Sequence, residues 1–189
     1  TFDYLRPIAK HPMHPLTPDA DAAYERTVEI NVDGMPPMVA CPYSPDNVRP
    51  LPDVAREHIR VDQVFLGSCT NARIEDIREA AALLKGHHIA PGVRFIVSPA
   101  STAIYHQCLT EGLIELFTDA GAVFTNSSCS ACFGGNMGIL APDEVCASSS
   151  NRNFPGRMGP KEARIYLMSP AATVAAAIRG EIADPREYL

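Results

Sequence analysis

Apolar positions follow two regimes along the chain, and the change comes near Val61. Before it they are scattered among prolines, ten of the 17 of which precede Arg60. Proline fixes its own φ and keeps the residue before it out of the helical region, so residues 1–60 read as a connecting segment with little regular structure. Two stretches stand out within it. Asp19 to Tyr24 has room for a helical turn or two, and Thr27-Val-Glu-Ile-Asn-Val32 alternates with period two, which predicts a half-buried strand. Ala40 to Pro52, containing Cys41-Pro-Tyr-Ser-Pro-Asp-Asn-Val48, reads as a wrapped surface loop.

From Val61 strand and helix patterns alternate. Gln63-Val-Phe-Leu66 is a short apolar run ending at Gly67, and Ile74, Ile77, Ala81 and Leu84 then share one helical face, with Thr70 or Asn71 as cap and Gly86 as stop. Arg94–Val97 and a helix from Thr102 to Glu111 form the next unit. A short helix, Leu113–Asp119, leads to a third strand at Ala122–Thr125. Glu144–Ala147 and Ala163–Met168 are further strands, and Ser169-Pro170 opens a last helix that Gly180 closes. Strands alternating with helices imply parallel pairing and a sheet covered on both faces. The expected fold class is α/β, a three-layer α/β/α domain over residues 61–189 with a mostly parallel sheet.

Composition narrows the functions open to such a domain. Hydrophobic residues make up 46% and charged residues 20%, an ordinary globular balance. The net charge of −6, without a dense Lys/Arg patch, argues against nucleic acid as a partner. No run approaches the ~20 apolar residues of a membrane-spanning helix, and there is no signal-peptide pattern. The six cysteines are too few for a disulfide scaffold and cluster in Gly-rich turns, which points to a reducing, cytoplasmic setting and metal or redox chemistry. Thr rather than Met at position 1 raises the expectation of a piece of a longer polypeptide.

Candidate chemistry gathers in three loops that each follow a strand, and so share one end of a parallel sheet. Ser68-Cys69-Thr-Asn71 follows the first strand, Asn126-Ser-Ser-Cys129-Ser-Ala-Cys132-Phe-Gly-Gly135 the third, and Ser148-Ser-Ser-Asn151-Arg152-Asn153-Phe the fourth. Cys69, read as lying just before a helix, would gain from the helix dipole, and Cys129 and Cys132 have the spacing to chelate one centre. Three thiolates suit zinc or an iron–sulfur cluster, and three protein ligands leave a position open for substrate. Cys41, Cys108 and Cys146 read as small buried hydrophobes. His11 and His14 read as a solvated Pro-rich loop, His87 and His88 as a helix end, and His106 as helical, so no histidine is assigned catalysis. Arg152 and Arg157, five apart across a Pro-Gly turn, read as a pair for carboxylates, whose two oxygens match the guanidinium fork. Taken alone they would be ordinary surface arginines. Their position beside the cysteine loops favours the binding role.

At these residues the sequence resembles the aconitase superfamily, in particular the large subunits of 3-isopropylmalate dehydratase and homoaconitase. The matching blocks are Val64-Phe-Leu-Gly-Ser-Cys-Thr-Asn-Ala-Arg-Ile-Glu-Asp76, Cys129-Ser-Ala-Cys-Phe-Gly134, Ser149-Ser-Asn-Arg-Asn-Phe-Pro-Gly-Arg-Met-Gly159 and Tyr166-Leu-Met-Ser-Pro-Ala171. The resemblance implies that Cys69, Cys129 and Cys132 bind a [4Fe-4S] cluster with one iron open to substrate, and that Asn151, Arg152 and Arg157 line the pocket. It implies a hydro-lyase that moves the hydroxyl of a di- or tricarboxylate such as 2-isopropylmalate, in leucine biosynthesis, by dehydration and rehydration. Homoaconitate is the alternative substrate, and a non-catalytic metal or cluster module, or an RNA-binding relative, the alternative of another class. The implied partners are the missing N-terminal domains of the same large subunit and a small, swivelling subunit. The general acid and base of such relatives are not found here, so no catalytic residue is named and the chain alone is expected to turn over little substrate. Ser128 and Ala100 stand where Gly is expected in many relatives, with consequences for loop shape.

Overall fold

The computed structural model describes residues 1–189 and divides into two units, Thr1–Met35 and Pro36–Leu189. In the first, one short helix, α1 (Phe2–Leu5), is the only regular element. Neither the helical turns expected at Asp19–Tyr24 nor the strand expected at Thr27–Val32 forms. Alternation along a chain decides which residues share a face; a strand still needs a neighbour for its ladder, and this stretch has none. Val28, Ile30 and Val32 are left exposed.

In the second unit, the residues expected to be a surface loop form a hairpin of β1 (Met38–Ala40) and β2 (Val48–Pro50), followed by the short helix α2 (Leu51–Ala55). The hairpin adds the only antiparallel strands to a seven-stranded sheet, because β1 pairs with the last strand through Ala40 and Leu167. Asn153 holds it there: its side-chain amide, fully buried, donates to the Cys41 carbonyl at 2.9 Å. The compact unit therefore reaches back to Pro36 and includes part of the Pro-rich segment.

The other strands are β3 (Gln63–Leu66), β4 (Arg94–Val97), β5 (Val123–Phe124), β6 (Val145–Ser148) and β7 (Arg164–Leu167), all parallel to one another. Across the sheet the order is β2-β1-β7-β6-β3-β4-β5. The chain runs outward from β3 through β4 to β5, then returns to the other side of β3 for β6 and β7. The strand order thus reverses between β3 and β6.

Strand residues alternate between the two faces. Val64, Leu66, Phe95, Val97, Val145 and Ala147 join one core with residues of α2, α3 (Ile74–Leu84), α4 (Thr102–Thr110), α5 (Leu113–Asp119) and α6 (Pro170–Arg179). Phe65, Ile96, Cys146 and Ile165 face the other way, into a smaller core with Ala131, Cys132, Leu140, Met158 and Ala163. The second face is covered by a 3-10 helix, Ser130–Phe133, and by loops, where a second α-helical layer was expected. The α/β class and the mostly parallel sheet stand.

Local signals set the helix ends. Ser169 Oγ accepts from the Ala172 N–H at 3.2 Å, Pro170 sits in the first turn, and Gly180 ends α6 in the left-handed region at φ 78°. The cap expected at Thr70 or Asn71 is not used: α3 begins at Ile74, and the Arg73 N–H donates to the Asp76 carboxylate at 2.9 Å. Asn71 instead binds its own loop, accepting from the Ala72 N–H at 2.8 Å. No helix is long and apolar enough to cross a membrane.

Candidate functional site

The strand order reverses between β3 and β6, and the carboxyl ends at such a reversal are where ligands of parallel sheets sit, because diverging connections leave room between two loops. The loop after β3 carries Cys69 and the loop after β6 carries Asn151. Two buried groups lock these loops together: the Gly67 N–H donates to Ser149 Oγ at 3.0 Å, and Ser149 Oγ lies 3.3 Å from the Gly67 carbonyl. Beyond that clamp, Asn151 Nδ2 lies 3.9 Å from Cys69 Sγ, at the outer limit of a contact to sulfur. Cys69 is exposed. It lies in a turn five residues before the start of α3.

A second clamp joins β4 to the loop after β5. Ser98, fully buried at the end of β4, has its Oγ 3.3 Å from the Asn126 carbonyl and 3.1 Å from the Ser128 carbonyl. This fixes the entry to Cys129 and Cys132. Cys129 is exposed, whereas Cys132 is buried in the 3-10 turn, its N–H donating to the Cys129 carbonyl at 2.9 Å. Ser130 between them has a φ of 42°, in the left-handed region. Holding a non-glycine residue there costs about 1–3 kcal/mol, which the surrounding contacts must over-determine.

The loop after β6 returns across the second face of the sheet and brings Arg157 to this turn. Arg157 Nη2 donates to Cys132 Sγ at 3.5 Å, while its Nε is buried with no partner. Close backbone approach makes the contact feasible: a side chain at Gly134, φ 70°, would place its Cβ 2.9 Å from the Arg157 carbonyl. Arg152 behaves differently. Exposed, it donates to the Asn151 carbonyl at 2.9 Å and reaches no cysteine.

The structure therefore pairs Cys69 with Asn151 and Cys132 with Arg157. No three Cys, His, Asp or Glu side chains are gathered into a cage for one metal ion. All six cysteines are free thiols. Residues 67–72, 126–136 and 148–159 include two arginines and no acidic residue, in a chain whose net charge is −6. The field at these loops suits an anionic ligand.

The remaining cysteines are set apart. Cys146 is fully buried in β6, and burial pushes its thiol up to about 12. Cys108 in α4 is raised to about 11 for the same reason, and Cys41 is raised as well. Ser98 and Ser149 were not singled out from sequence, although each stands at or just past the end of a strand, where a hydroxyl can reach a neighbouring loop.

The aconitase family (aconitate hydratase) matches residues 7–180. Similar proteins include the 3-isopropylmalate dehydratase large subunit 1 of Methanopyrus kandleri, 49% identical over 189 residues, which covers all of this chain and 45% of that protein. The large subunit from Geobacter metallireducens is 53% identical over 171 residues, covering 90% of this chain and 39% of its own length. That from Aquifex aeolicus is 49% identical over 194 aligned positions, spanning 100% of this chain and 44% of the relative. The chain thus spans less than half the length of these curated relatives.

Proposed function

Because the chain belongs to the aconitase family, we propose that it is the cluster-bearing portion of a hydro-lyase large subunit that interconverts 2-isopropylmalate and 3-isopropylmalate. The observation that supports this reading is that three free thiols lie on loops following the parallel strands β3 and β5, with Asn151 beside Cys69 and Arg157 beside Cys132. Homoaconitate and related malates are the alternative substrates.

The donor set fits an iron–sulfur group. Cys69, Cys129 and Cys132 are free thiols on loops, two of them exposed, and sulfur ligands are what such clusters take. Ligands of a polynuclear cluster sit on different irons, so they need not converge on one point as the ligands of a single zinc ion do. A guanidinium 3.5 Å from Cys132 Sγ also suits a sulfur that carries negative charge as a ligand. When bound, a [4Fe-4S] cluster on three cysteines supplies an iron with an open position, a Lewis acid toward a hydroxyl and its neighbouring carboxylate.

The chain's own groups then have distinct roles. Arg157, partly exposed, offers a substrate carboxylate the part of its guanidinium not turned to Cys132, and Arg152 offers a second cation once it leaves the Asn151 carbonyl. Asn151 orients a hydroxyl or carboxylate beside Cys69. The buried clamps of Ser98 and Ser149 hold these groups in register, which matters because small misplacements of reacting groups are costly in rate. A general acid and base come from elsewhere: the rest of the large subunit and a small partner subunit, in a reducing cytoplasmic setting.

The test is turnover of 2-isopropylmalate by anaerobically reconstituted protein, followed through the absorbance of the unsaturated intermediate. The 189-residue chain is expected to be inactive, and the chain completed with the rest of a large subunit and its small subunit to be active. Arg157→Lys in that complex should raise KM while leaving iron and sulfide content unchanged. A fully loaded complex that hydrates homoaconitate but not the isopropylmalates would replace the substrate assignment.

A further inference from the structure

Thr27–Val32 is the one strand pattern in the sequence that the structure leaves unformed. Val28, Ile30 and Val32 are 64, 71 and 65% exposed, and Thr27, Glu29 and Asn31 between them are exposed too. None of the N–H groups from Thr27 to Val32 donates a hydrogen bond. Three β-branched apolar side chains alternating with polar ones, along a backbone whose N–H groups are unpaired, are what a strand presents before it is added to a sheet.

The stretch is part of the family's own domain, since the family match runs from residue 7 and the Methanopyrus kandleri relative aligns over the whole chain. That relative is more than twice as long, this chain covering 45% of it. We propose that Thr27–Val32 is a strand of a second sheet, one whose other strands lie in the part of the large subunit outside these 189 residues. The partner has a stated chemistry: an open sheet edge beside an apolar surface, against which Val28, Ile30 and Val32 pack while Thr27, Glu29 and Asn31 face water. This rests on the reading above that a longer large subunit surrounds the chain. It does not depend on the cluster assignment, so iron and sulfide content reports separately on that reading.

Amide hydrogen exchange tests it, comparing the 189-residue chain with a fusion of the chain to the remainder of the Methanopyrus kandleri large subunit. Amides of residues 27–32 should exchange without protection in the chain alone and about 100-fold or more slower in the fusion, as expected for a paired strand. In the fusion, Ile30→Asp should restore fast exchange, whereas Glu29→Lys, on the face turned to water, should not. Fast exchange in both proteins would make the stretch a linker and overturn the proposal. Protection in the chain alone that grows with its concentration would assign the pairing to a second copy, and would overturn it equally. The same loss of protection from both substitutions would sink the assigned facing.

Discussion

The two faces of the sheet in Pro36–Leu189 are covered by different materials. On one, α3 and α6 lay aliphatic side chains over β3 and its neighbours, with Ile77, Leu84, Val174 and Ala176 fully or almost fully buried. On the other, the chain between β5 and β7 crosses as a 3-10 turn and loops, held by left-handed residues such as Ser130 and Gly134 and by single polar contacts. One of these is the bond from buried Gln63 to the Gly138 carbonyl at 2.7 Å. Helices bury apolar area with their interior backbone groups already paired, so their face supplies stability at low risk. An irregular cover leaves backbone and side-chain groups free to point at a ligand, and Cys129, Cys132 and Arg157 lie there. The proposed function would use the less regular surface.

If this division is right, damage to the two faces has separable consequences. The largest effect expected is from Ile77→Ala in α3, where a side chain with no exposed area leaves a cavity. It should cost about 2–5 kcal/mol, read as a lower denaturant midpoint with an unchanged slope, while the protein that remains folded keeps its iron content. Gly134→Ala should cost less, about 1–3 kcal/mol for a residue forced into the left-handed region, with its Cβ 2.9 Å from the Arg157 carbonyl. Yet it should lower iron and sulfide content. A reversal, with Ile77→Ala losing iron and Gly134→Ala retaining it, would break the comparison.

The smallest effect expected is at the rim of the loop face. Arg94 forks onto Glu144 at 2.8 and 2.6 Å, and that hydrogen bond is the main reason the Glu144 carboxyl is held below its ordinary value. A carboxyl lowered in the folded state stabilises above its unfolded pKa, and loses that contribution as pH falls through the folded value. Wild-type stability should therefore drop, relative to Glu144→Gln, as pH is lowered below the usual carboxylate range. Arg94 is 47% exposed, so the difference at neutral pH should stay within about 1 kcal/mol. Urea titrations of both proteins across that range measure it.

The helical face was legible because its signals are local. A 3-4-3 spacing from Ile74 to Leu84, and the Ser169, Pro170 and Gly180 punctuation of α6, each act within one element. So were the three loops after β3, β5 and β6, which follow from strands alternating with helices. What escaped the sequence depends on partners far along the chain. β1 and β2 are three residues each among prolines, and only β7 and Asn153 give them a place. The irregular second face could not be foreseen from the helix-strand alternation, which says nothing of how residues 131–163 cross the sheet. The cap of α3 was misplaced, because the Arg73 N–H bond to Asp76 settles its start at Ile74. The strand pattern at Thr27–Val32 was legible as a pattern, yet no strand of this chain pairs with it.

On the proposed function Cys69, Cys129 and Cys132, and not Cys41, Cys108 or Cys146, hold the iron–sulfur group. This assignment is tested most directly by iron and acid-labile sulfide analysis of anaerobically reconstituted wild type, Cys129→Ser and Cys146→Ser. Wild type and Cys146→Ser should each hold about four iron and four sulfide per chain, the content of a cubane cluster, and Cys129→Ser almost none. Full loading of Cys129→Ser, or wild-type protein that takes up zinc stoichiometrically without sulfide, would contradict the account.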